Sequence, residues 1–476
     1  MLTLIPGGSP QLSIAADYTV KNRDLRNYYA FIVTAACTIT FPTCSRENAN
    51  CPVWIVNGAS GPVTLALSSN STKIVPAGKI IEIVGLRVAT GTFAWGGLDQ
   101  YDTDDTWDTW TSTLTWGTAS PTLATVAVDT MVGRYKLVNG ICWFDLNIAC
   151  DDGNGASSLT CSLPFIPNDI NAYFACQATE NVNGVVTNAM GWIDCLHNTE
   201  ANRTVNFAAF TAWTNAVASS IKISGFYEVA DWTAWTPTVT QAGASTTLVT
   251  VARYKIVDDL CFFNIYSSCA DCDANTTGIT FSLPVTPQHL DIAIPVFAQE
   301  LKNTTYTDPI GYIDTTQATA ASRVITMNAF TTWASAGAEP VHCIVSGVYP
   351  IAKQTTAVPV GTYTIATPTT AAANFIGAYK MGNGFAWVAG STTSADGNAC
   401  TGVTVKLPAS VTAKYADRDI SLASQELVNA TYSNACGYID GNNTTIADRQ
   451  KIQFSKFSTA TDAQAWALRY MGIIEV

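Results

Sequence analysis

The feature that most constrains this chain is a set of phrases written three times in one order. "GRYKLVNGICWF", "ARYKIVDDLCFF" and "GAYKMGNGFAWV" open the three sets, and "CSLPFIP", "FSLPVTP" and "VKLPASV" follow. Then come "GWID" at 191–194, "GYID" at 311–314 and "GYID" at 437–440, roughly 120 residues apart. After them stand "NFAAFTAW", "MNAFTTW" and "FSKFSTA", and each set closes on a Gly among apolar residues: "KISGFYEV", "IVSGVYPI" and "YMGIIEV". Matched phrases in a fixed order define tandem copies of one structural unit. The expected organisation is an N-terminal β-domain over 1–100, then modules over 101–230, 231–352 and 353–476.

Within a unit the local signals are those of short strands. "RYKLVNGICWFDLNI" is two β-rich runs around Asn139-Gly140, a strong hairpin signal. The Leu-Pro step ends the next strand, because proline cannot donate to an inner ladder. A second hairpin leads to the GxID phrase, followed by an aromatic strand and a closing strand through the Gly. This density of strands predicts an all-β protein of β-sandwich modules, jelly-roll-like in outline and strung as separate beads. In the N-terminal region, "VWIVNGASGPVTLAL" reads as a hairpin around Asn57-Gly58, and "KIVPAGKIIEIVG" and "GTFAWGG" continue the β pattern.

Composition limits the partners. Among 476 residues only 13% are charged, 48% are hydrophobic and the net charge is −12. A surface this poor in Lys and Arg repels phosphate backbones, which argues against nucleic acid and against polybasic membrane attachment. The opening "MLTLIPGGSP" has no basic or apolar signal region, and no apolar run of membrane-spanning length follows, so no membrane insertion is expected. Glycans and other proteins remain as partners.

Fourteen cysteines call for a reading of redox state. Cys142 and Cys150 lie eight residues apart in one expected strand, ~26 Å at ~3.3 Å per residue, too far to pair. Cys37, Cys44 and Cys51 lack metal spacing, and the single CxxC (Cys269, Cys272) lacks the second ligand pair of a zinc site. Buried free thiols in a reducing cytoplasm are the expectation.

Three charged positions keep step with the repeat: Glu180, Glu300 and Glu426 precede Asp194, Asp314 and Asp440 by fourteen residues. Arg203, Arg323 and Arg449 follow nine residues later. Two readings compete. Paired carboxylates with an Arg supply the acid and base of a glycosidase. Alternatively, an inherited ion-pair network pins strands or an interface, and the triplication favours that second reading. "DDGNG", "DCDAN" and "DGN", beginning at Asp151, Asp271 and Asp396, carry calcium-type oxygens without the distal Glu of an EF-hand, and read as turns. Trp107, Trp110, Trp232 and Trp235 cluster at module entrances and serve either glycan stacking or module packing. His197, His289 and His342 do not recur between modules, and no nucleophile-elbow, P-loop or dinucleotide motif is present. No catalytic residue, cofactor or metal is assigned.

With the "TWTPTVT"-like entrance, the "RYKLVNG" hairpin and the "ISGFYEV" closing strand in view, the modules resemble those of bacteriophage tail-fibre and related virion proteins. The N-terminal "VNGASGPVTLAL" to "GTFAWGG" stretch is similar to β-domains of phage fibre and baseplate-associated proteins. The third module departs from this pattern, lacking the tryptophan entrance and the Arg before Tyr379. The resemblance implies a virion protein assembled in the host cytoplasm, homotrimeric by preference. It would dock to other virion proteins through the N-terminal region and contact a host-surface glycan. A polysaccharide-degrading tailspike-type enzyme and a cell-surface adhesin are the alternatives.

Overall fold

A computed structural model gives the conformation of residues 10–28, 30–45, 53–61, 63–67, 71–75, 80–89, 92–98, 107–117, 122–123, 131–138, 140–168, 170–182, 185–195, 203–208, 218–229, 232–242, 248–269, 278–302, 305–307, 309–328, 341–351, 363–366, 374–382, 385–394, 402–407, 413, 419–428, 431–434, 437–440, 450–454 and 466–475. The described chain is nearly all β.

The N-terminal strands do not follow the hairpin expectation. Gln11–Ile14, Ala30–Val33 and Val53–Asn57 lie side by side in parallel, while Tyr18–Thr19, Thr38–Thr40 and Val63–Leu67 form a second parallel row. Successive strands alternate between the two sheets, so the chain winds as a short β-solenoid that finishes in antiparallel strands Ser71–Val75, Ile80–Ala89 and Thr92–Leu98. Asn57-Gly58 is therefore a corner between sheets rather than a hairpin turn. The reason lies in the Asn57 side chain, which is buried and bonded on all sides. Its Nδ2 donates to the Gly61 and Val75 carbonyls at 3.0 and 2.7 Å, and its Oδ1 accepts from the Ala59 N–H at 3.0 Å. The Gly58 N–H donates to the Val33 carbonyl, locking the corner to the previous coil. This domain has its own core, centred on Phe31, Ile39, Ile55 and Leu65.

The three modules share one strand order. In module 1 it runs Asp108–Trp110, Met131–Val138, Ile141–Asp152, Ser219–Glu228, Tyr173–Val182, Val185–Asp194, Val205–Ala208, Ser158–Cys161, Leu114–Gly117, as one curled sheet. Module 2 has the same order split into two sheets. The split falls between Ala293–Pro295, which pairs with Ile310–Asp314, and Phe297–Lys302, which pairs with Thr305–Thr307. In module 3, Asp419–Val428 bridges both halves. The expected hairpins form: Val138 faces Ile141, Val257 faces Leu260, and Gly382 faces Phe385. Gly140 sits at φ 78°, and Asp258 and Asp259 at φ 50° and 60°, the backbone that a two-residue turn of this hand requires.

The modules are not separate beads. One hydrophobic core runs through all three, uniting Trp143 and Phe226 with Phe262 and Val348 and with Phe385 and Met471. The contacts across it are cyclic. Tyr173–Val182 of module 1 packs on Val341–Pro350 of module 2, Ala293–Pro295 of module 2 on Trp466–Glu475 of module 3, and Asp419–Val428 of module 3 on Ser219–Glu228 of module 1. Three equivalent residues of the closing strands (Phe226, Val348 and Ile473) line one small pocket with Trp143. The modules thus form a closed ring with pseudo-threefold order. A chain this poor in charge packs so because its apolar faces outnumber what each module buries alone.

Candidate functional site

Among the described residues the Glu and Asp of each repeated triad stand apart along the strands. In module 1, Asp194 pairs across the ladder with Tyr173, and Glu180 stands seven residues further along that strand. Asp314 faces Ala293 and Asp440 faces Asp419, again seven residues short of Glu300 and Glu426. Seven residues span ~23 Å of strand, far beyond the ~5–9.5 Å that separates glycosidase carboxylates. Within a module, then, the Glu and Asp occupy opposite ends of a strand and make no acid–base pair. Glu180, Glu300 and Glu426 are buried, whereas Asp314 is partly exposed.

The Arg has a different task. Arg203 Nη1 donates to the Pro167 carbonyl at 3.1 Å, and Arg323 Nη1 donates to the equivalent Pro287 carbonyl at 2.8 Å. Arg323 also reaches the Gln317 and Ala318 carbonyls. It latches a loop through main-chain oxygens and makes no ion pair among the described residues, so the expected network is not formed in module 2. Burial works to raise the Asp314 carboxyl, but hydrogen bonds from Thr316 and Gln317 outweigh it and hold the group below its ordinary value. Arg449 and the side chain of Asp440 lie outside the described residues.

The GxID phrase instead marks the seams between modules. Its Gly carbonyls are acceptors: Gln299 Nε2 of module 2 donates to the Gly191 oxygen, and Gln425 Nε2 of module 3 donates to the Gly311 oxygen at 2.6 Å. Two of its aromatic rings are covered by cations from a neighbouring module. Arg469 of module 3 lies 4.8 Å over Tyr312, and Lys222 of module 1 lies 5.0 Å over Tyr438. Gly itself is required for space, since a Cβ at Gly311 would meet Met327 at 2.6 Å and Val296 at 2.7 Å.

Two seams also carry a carboxylate–guanidinium clasp. Glu228 of module 1, fully buried, accepts from Arg253 of module 2 at 2.5 and 2.7 Å and from the Asn168 amide at 2.8 Å. Glu475 of module 3 accepts from Arg134 of module 1, with both oxygens at 3.1 Å. At the remaining seam the equivalent positions are Pro350 and Ala378, so both halves of the clasp are missing together. Lys380 of module 3 pairs there with Asp259 of module 2 at 3.0 Å, beside a small pocket lined by Pro350, Ala378 and Trp387. Losing both partners leaves no buried charge stranded, which is why the seam tolerates the change.

Of the four entrance tryptophans, two reinforce these clasps. Trp232 is buried against Phe174 and Phe226, and its carbonyl accepts from Arg253 at 2.7 Å. The main-chain N–H of Trp107 donates to Glu475 at 3.3 Å. Trp110 packs edge-on against Tyr135 and Phe144, and Trp235 against Tyr254. They are packing residues of the modules and their seams.

Nine described cysteines carry free thiols, eight of them buried. Cys269 departs from the expectation: it is disulfide-bonded, to a partner outside the described residues. Burial pushes the Cys150 thiol up to about 11 and the Cys261 thiol up to about 12, against an ordinary 9.0. Values raised by folding mean that neutral burial stabilises in full below pH 9.0, and that this contribution is lost as pH climbs towards about 12. The urea midpoint is therefore expected to fall steadily above pH 9.0, with these thiols alkylated only as the chain unfolds. A midpoint unchanged across that range would refute the linkage.

Among the described residues no cluster of His, Cys, Asp and Glu has metal-site geometry, and "DDGNG" is a turn in which the Asn154 N–H donates to Asp152 at 2.8 Å. The "DCDAN" and "DGN" stretches and His197 lie outside the described residues. His289 is exposed, and His342 stacks on Tyr266 with its Nδ1 2.7 Å from the phenol oxygen. No helix among the described residues is long and apolar enough to cross a membrane. Searches against family models, curated proteins and solved structures returned no match to this chain.

The seam residues Arg134, Glu228, Arg253, Gln299, Gln425 and Glu475 were not singled out from sequence. One signal was available: the third hairpin loses its Arg, and the second closing strand has Pro where the other two have Glu.

Proposed function

We propose that this chain is a structural virion protein, a tail fibre, head fibre or capsid decoration protein, serving particle assembly and attachment to a host surface. One observation carries the reading: a separate solenoid-like β-domain precedes a closed ring of three β-modules whose seams are held by Glu228–Arg253, Glu475–Arg134 and Lys380–Asp259. Such an arrangement suits a durable, projecting part of an assembly. The N-terminal domain is the docking element towards other virion proteins, and the outer surface of the ring faces the host glycan. The sequence resemblance to fibre proteins adds to this reading. Within each module the separation of Glu from Asp counts against the depolymerase alternative.

Immunogold imaging of purified particles with antibody to the N-terminal domain tests the proposal. Label at a fixed place on intact particles is the expected result. Label confined to the particle-free supernatant would remove the reading.

A further inference from the structure

We infer that one copy of this chain is a complete trimer-equivalent, whose donor and acceptor module faces close on one another within a single polypeptide. The resemblance to fibre proteins implies three chains; the ring puts three modules where those chains would stand.

The argument begins with the two unlike faces of each module. One face carries the GxID edge and an acceptor: the Gly191 carbonyl and Glu228 in module 1, Tyr312 and Asp259 in module 2, Tyr438 and Glu475 in module 3. The other face carries donors: Arg134 and Lys222, Arg253 and Gln299, Lys380 and Arg469. Unlike faces that meet head to tail give a filament when the rotation is open and a ring when it closes. Here it closes, because module 3 presents its acceptor face to the donor face of module 1. Among the described residues all three donor faces meet an acceptor face of the same chain, so head-to-tail joining of modules is completed within one polypeptide. A single N-terminal domain then serves three modules, and a partner meets a threefold ring through one docking element.

The mass of the full chain in solution is the first test. Light scattering from micromolar to the highest soluble concentration should return 50.6 kDa throughout. A mass three times larger would overturn the inference. A swapped assembly, with module 3 of one chain closing on another chain, is tested by zero-length carbodiimide coupling. Isotopically heavy and light chains are refolded together, and the coupled Lys380–Asp259 peptides are read by mass spectrometry. Heavy–heavy and light–light pairs alone are expected, and mixed pairs would overturn the inference. Neither readout depends on particles, so a monomer that labels no virion sinks only the proposed function.

Discussion

Replacing Arg253 by Ala should destabilise the protein by about 3–5 kcal/mol, the cost of stranding a buried carboxylate. Glu228 has no exposed surface, so water cannot take over the role of the guanidinium. Asn168 donates a single bond to it and brings no charge. Adding Glu228→Gln should restore most of the loss, because the amide removes the uncompensated charge. The chain contains the natural version of that double change at Pro350 and Ala378. Urea unfolding of the two single variants and the double variant measures the coupling directly. Additive losses, with no recovery in the double variant, would show that the clasp is not a charge pair in energetic terms.

Trp143→Ala is expected to cost a further class of contact, about 3–5 kcal/mol for a large aromatic removed from a packed core. Its ring lies 5.6 Å from Phe262 of module 2 and 4.1 Å from Phe385 of module 3, so one truncation opens two seams. Unfolding should then lose cooperativity, with a lower slope against urea as modules separate before they melt. Trp143→Phe should be much milder, at about 1 kcal/mol. It keeps the ring stacking and deletes an indole N–H that has no partner among the described residues. A Trp143→Ala variant with an unchanged midpoint and slope would mean that the shared core contributes little to joining the modules.

Much of the module was legible because its signals are local. Val138 and Ile141 are neighbours in sequence as well as in the ladder, so an Asn-Gly step between β-rich runs identified that hairpin. The same dipeptide at 57–58 misled, because its outcome was decided by the Val75 carbonyl, eighteen residues away, accepting from the Asn57 amide. The acid–base alternative for the triads could not be weighed from sequence for a related reason. Their recurrence showed only that a module had been copied, while strand register placed Glu180 and Asp194 at opposite ends of one ladder. The seams were the hardest to read. Arg134 and Glu475 are 341 residues apart, and no periodicity or motif links such a pair in a single sequence. What did survive from the sequence is the GxID phrase, legible as a module marker although its role as a seam acceptor was not.

The clasp between Glu475 and Arg134 has a topological consequence. It brings the end of the third module beside the start of the first, where the main-chain N–H of Trp107 also meets Glu475. The modular region therefore has no first or last member as far as packing is concerned. Its order along the chain is imposed by the covalent links, and a circular permutation that joined 475 to 107 and cut the link between Glu228 and Trp232 would leave the same three lobes in the same places.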